Sequence, residues 1–122
     1  MAHRGGTVES KLVVQLRPGY HCNSNTPSDE YLIPLRLSWG SGAIAAAGIA
    51  YPLPKTEKYE FSAKPLSVYS GAFEIVTRFK AGADAPLGAG KLTGKLRYQA
   101  CTDRLCLPPR SIEVTLPFEV VQ

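Results

Sequence analysis

What the chain lacks narrows the reading first. No stretch approaches the roughly 18 apolar residues of a membrane-spanning helix. The longest small-apolar run, AIAAAGIAYPLP, is short and broken by Gly and Pro. This argues against direct membrane insertion. The 14 Lys and Arg residues outnumber the 10 acidic ones, for a net charge of +4, yet they never cluster. No ribonucleoprotein-type aromatic motif accompanies them, so nucleic acid is not an expected partner. The surplus charge serves solubility, with weak steering of acidic partners. No segment carries an i, i+3, i+4 apolar stripe, and 11 Gly with 10 Pro argue against long helices. No Ser–His–acid set, phosphate loop or catalytic carboxylate pair can be assembled, and nothing calls for a cofactor. No secretory leader is visible. The opening MAHRGG reads as a tag remnant joined to a trimmed chain. Residues 1–6, His3 among them, are therefore set apart, and the domain is taken as 7–122.

What is present is alternation with period two, the mark of half-buried strands. Leu12, Val14 and Leu16 alternate with Val13, Gln15 and Arg17. Tyr31, Ile33, Leu35, Leu37 and Trp39 form a second set, with Pro34 marking an edge or a bulge. Phe73, Ile75, Thr77 and Phe79 form a third. Leu92, Gly94, Leu96, Tyr98 and Ala100 form a fourth, and Ile112, Val114, Leu116, Phe118 and Val120 a fifth. Turn clusters such as NSNTPSD and AGADAPLGAG separate them. The pattern predicts one all-β domain, an immunoglobulin-like antiparallel β-sandwich. Residues 51–69, with three prolines and poor periodicity, read as a long irregular segment, of the kind that serves as a functional lid.

The chemistry-bearing stretch is YQACTDRLCLPPR. Cys101 and Cys106 flank four residues where one strand pattern turns towards the next. Three readings stand. A structural disulfide closing so short a loop gains roughly 2 kcal/mol at most in the chain-entropy model. A metal half-site lacks ligands: zinc takes about four, and only the neighbours His21 and Cys22 are left, on opposite strand faces. A redox couple needs an accessible thiolate and a nearby resolving thiol. Arg104, between the two, is placed to stabilise a thiolate, and Pro108 and Pro109 stiffen the following segment. On residues alone the staple and the couple stay level. The staple goes with a non-catalytic immunoglobulin-like binding module.

Together with the alternating IEVTLPFEV and the earlier GYHCNSNTPSDEYLIPLRL, the motif resembles the periplasmic N-terminal domain of the thiol:disulfide interchange protein DsbD. The resemblance runs from about Leu12 to Val120. It implies an immunoglobulin-like fold and thiol–disulfide exchange in the periplasm. Electrons would come from a transmembrane donor and pass to thioredoxin-fold partners, including disulfide isomerases and cytochrome c maturation proteins. It assigns Cys106 as the attacking cysteine and Cys101 as the resolving one. It assigns Phe61, with Tyr59, to a cap that shields the pair, and Glu60 to an acidic position beside it. Tyr20 and His21 are expected as polar neighbours, the protein as a monomer, and Cys22 as an inert buried thiol. The four-residue spacing is one shorter than in the best-known member.

Overall fold

The computed structural model describes residues 1–27, 32–59 and 64–122. Eleven strands follow in order among them: β1 (Ala2–His3), β2 (Thr7–Gln15), β3 (His21–Asn23), β4 (Arg36–Trp39), β5 (Ile44–Ala50), β6 (Lys55–Glu57), β7 (Leu66–Ser70), β8 (Ala72–Ala81), β9 (Gly88–Tyr98), β10 (Ala100–Cys101) and β11 (Arg110–Val121). They form three sheets, in the orders β1-β11-β9-β4, β2-β8-β5 and β10-β3-β7-β6. All pairings are antiparallel except β1 with β11. This is an all-β, immunoglobulin-like sandwich, as the alternation leads one to expect.

Among the described residues two apolar clusters fill it. One gathers Ile44, Phe79 and Ala81 against Leu92, Val120 and Ala2. The other gathers Cys22 and Tyr69 with Leu35, Leu37, Ile75 and Leu96. Trp39 packs against both. Its indole meets the Phe79 ring edge-on at 5.2 Å, and its N–H donates to Thr77 Oγ1 at 3.1 Å. The buried Thr77 hydroxyl thus supplies a partner for the half-buried indole N–H. Gly94 makes room for this tryptophan. A Cβ there would lie 2.6 Å from the Ser38 carbonyl oxygen and 2.7 Å from Trp39 Cε3.

Several expectations change. Pro34 has no N–H to give a ladder, and strand pairing begins only at Arg36, so β4 is shorter than the Tyr31–Trp39 pattern; Tyr31 lies outside the described residues. The segment 51–69 holds two strands, β6 and β7, paired in register from Lys55↔Val68 to Glu57↔Leu66. Alternation is hidden there because β7 buries Leu66, Val68 and Tyr69 together, while β6 is exposed throughout. Ile112, expected on the covered side of β11, is 45 % exposed. Residues 1–6, set apart above, take part in the fold: Ala2 is 2 % exposed within the core and β1 pairs with Val120 and Val121.

The strand expected to run through Tyr98 to Ala100 breaks at Gln99. β9 ends at Tyr98 in one sheet, and β10 opens at Ala100 in another. The Gln99 side chain donates to the Leu107 carbonyl at 3.1 Å and ties this crossing to the returning chain. The cysteine loop therefore hangs where the chain changes sheets.

Candidate active site: the cysteine hairpin

Cys101 and Cys106 are joined by a disulfide, with their Cα atoms 3.9 Å apart, and form an antiparallel bridge. Backbone hydrogen bonds hold the hairpin on either side of the pair. The Thr102 N–H donates to the Leu105 carbonyl at 2.8 Å, and the Leu107 N–H donates to the Ala100 carbonyl at 2.8 Å. The cysteines thus face each other at a non-hydrogen-bonded position, where side chains approach most closely. Thr102 Oγ1 accepts from the N–H groups of Arg104 and Leu105, at 3.3 and 3.2 Å, and caps the loop from inside. Sequence reasoning missed this role, although a Thr opening a tight turn is a known local signal.

The two sulfurs are not equivalent. Cys101 is 1 % exposed, while Cys106 is exposed, between Leu105 at 54 % and Leu107 at 42 %. One thiol is kept from solvent, and the other sits on an apolar rim.

Strand register sets the surroundings of Cys101. In the β10-β3-β7 ladder, Cys101 lies opposite His21, which lies opposite Ser70. On the other face Ala100, Cys22 and Tyr69 form the neighbouring row. His21 is buried, and the Tyr59 ring lies flat on its imidazole, with centroids 3.9 Å apart and planes within 9°. The Tyr59 hydroxyl donates to Glu57 Oε2. A shallow hollow of about 240 Å³ opens here, lined by Tyr20, His21, Glu57, Tyr59, Ser70 and Asp103. Burial lowers the His21 pKa below its ordinary value, with Glu57 and then Asp103 pulling the other way. Burial and the bond to Glu57 raise that of Tyr59. Glu57 and Asp103 were not singled out from the sequence; Asp103 stood in plain view inside TDRL.

Of the other expected neighbours, Pro108 lies with Pro109 along a groove of about 370 Å³ beside Leu107 and Arg110. Arg104 is exposed in the loop, and its guanidinium makes no ion pair with a described residue. Glu60 and Phe61 lie outside the described residues.

Cys22 is the remaining thiol, 1 % exposed within the second cluster. Burial pushes its pKa up to about 12. The thiolate, not the thiol, is the reactive form. Iodoacetamide applied to the native reduced protein near neutral pH is therefore expected to label Cys106 and to spare Cys22 until denaturant is added. Peptide mass mapping checks this, and equal labelling of Cys22 and Cys106 would contradict its burial.

Residues 1–117 match the family model described as thiol:disulfide interchange protein DsbD, N-terminal. The chain belongs to this family. The crystal structure of the Neisseria meningitidis DsbD N-terminal domain in the reduced form superposes with a TM-score of 0.58 at 14 % identity. The match covers 89 % of this chain and 76 % of that one. At that identity the likeness speaks for the fold. No curated protein sequence matches significantly. The DsbD N-terminal family and the Cys101–Cys106 disulfide together fit thiol–disulfide exchange.

Proposed function

We propose that this DsbD N-terminal domain works in the periplasm as an electron-passing module between a membrane-embedded donor and thioredoxin-fold partners, acting as a monomer. The supporting observation is the asymmetry of the pair, Cys106 exposed on an apolar rim and Cys101 buried beneath it. In the reduced state the Cys106 thiolate attacks a partner disulfide, and one partner sulfur leaves as thiolate. Cys101 then attacks Cys106 Sγ. A Cys101–Cys106 bond forms, the bond from Cys106 to the partner breaks, and two electrons end on the partner as a dithiol. Tyr59, lying over His21 beside the pair, serves as part of the cap. Phe61 and Glu60 are assigned to that cap by resemblance alone. The cap must open to admit a partner.

A structural staple would be redundant here, since two backbone hydrogen bonds and the Thr102 hydroxyl already close the loop. The reduction potential tests the reading, through quenched alkylation and mass spectrometry across dithiothreitol buffers. A value between roughly −180 and −270 mV is expected, as for exchange proteins. A value below roughly −300 mV would mark a structural bridge and turn the reading to a binding module.

A further inference from the structure

The resolving step sets a problem that Cys106 does not face. Cys106 is exposed and can ionise against water. Cys101 is 1 % exposed, and burial in apolar surroundings disfavours a thiolate. Cys22 lies in the adjacent ladder row, and burial holds its thiol protonated at neutral pH. For Cys101 to attack the mixed disulfide, a group beside it must take the proton.

Register supplies one such group. Cys101 and His21 are direct antiparallel partners, so both side chains project from the same face of the ladder. Directly opposed residues hold their Cβ atoms roughly 4.5–5.5 Å apart. We propose that His21 is the general base that deprotonates Cys101 for its attack on the mixed disulfide, and the acid that returns the proton in the reverse direction. The inference rests on the exchange chemistry proposed above.

Protons and electrons balance with no further reactant. The Cys101 S–H bond breaks and an N–H bond forms on His21. The sulfur pair attacks Cys106 Sγ, and the partner sulfur leaves with the electrons of the broken bond. The imidazolium then releases its proton to the leaving thiolate or to water.

The surroundings suit the task. Burial favours neutral imidazole, which is the form able to accept a proton. Glu57 on β6 and Asp103 in the hairpin loop oppose that shift and stabilise the imidazolium once it forms. The remaining titratable neighbours among the described residues are Tyr59, stacked on the ring, and Tyr20, on the adjoining chain. Tyr59 stays protonated, since burial and Glu57 both raise it.

The test uses 5,5′-dithiobis(2-nitrobenzoate) and the fully reduced protein in stopped flow. Attack by Cys106 releases a first thionitrobenzoate, and resolution by Cys101 releases a second. In the native protein the second phase is expected to be flat with pH above the lowered His21 pKa and to fall below it. In His21→Gln the second phase is expected to slow on the order of a hundredfold near neutral pH. It should then rise about tenfold per pH unit as Cys101 ionises unaided. The first phase should be unchanged. A native second phase that already climbs tenfold per unit through neutral pH overturns the inference without recourse to any variant. So does equal slowing of both phases in His21→Gln, which would mark a structural histidine. In either case a first phase that depends on Cys106 leaves the exchange reading standing. A first phase that survives Cys106→Ser sinks that reading, and this inference with it.

Discussion

Reduced Cys101→Ser is expected to stop half-way, covalently joined to its partner through Cys106. Mixed with a thioredoxin-fold disulfide isomerase whose second cysteine is replaced by serine and whose remaining cysteine carries a thionitrobenzoate mixed disulfide, it should release thionitrobenzoate and convert to a stoichiometric disulfide adduct that dithiothreitol releases. Cys106→Ser should form no adduct, and its reduction of the partner should fall to background. The asymmetry behind this is physical. The attacking thiolate must line up with the partner's S–S bond, and Cys106 is the exposed member on the rim of Leu105 and Leu107, while Cys101 is enclosed. A serine hydroxyl is no nucleophile toward sulfur, so the adduct persists. Cys101→Ala, which buries no extra polar group, serves as the second variant if the serine protein folds poorly. Non-reducing electrophoresis and peptide mapping read the result. An adduct carried by Cys101 in Cys106→Ser would reverse the two roles.

Phe79→Ala is expected to cost about 3–5 kcal/mol of stability. That is a large part of the roughly 5–15 kcal/mol a domain possesses. Phe79 is fully buried and meets Trp39 edge-on, and Trp39 packs against both apolar clusters. Removing the ring leaves a cavity beneath the side chain that joins the two halves of the core. The sole tryptophan is its own probe. Urea titration followed by Trp39 fluorescence should show a lowered midpoint at unchanged slope. A loss under about 1 kcal/mol would mean that the core closes up around the gap, and that Trp39 is not the support described.

The sequence disclosed strands where one face is wet and the other dry. Phe73, Ile75, Thr77 and Phe79 alternate because Glu74 and Arg78 meet solvent, and β8 stands as expected. β7 does not alternate, since Val68 and Tyr69 are both buried, and β5 is Ala-rich with little contrast to read. The cysteine pair was visible because its members are close in the chain. His21 was expected only as a polar neighbour; its place opposite Cys101 depends on which strands pair, a long-range choice that periodicity leaves open. The sheet change at Gln99 was hidden for the same reason: Tyr98 and Ala100 keep the same parity across it.

The hydrogen bonds from Thr102 to Leu105 and from Leu107 to Ala100 do not involve sulfur. None of them needs the disulfide, so they are expected to hold the two thiols poised against each other in the dithiol state. In kinetic language, Cys101 confronts Cys106 at a high effective molarity, with the entropy of ring closure already met by the backbone. On the exchange function proposed above, the covalent complex with a partner is then expected to be brief. The short lifetime of that intermediate would, on the same function, limit its exposure to side reactions.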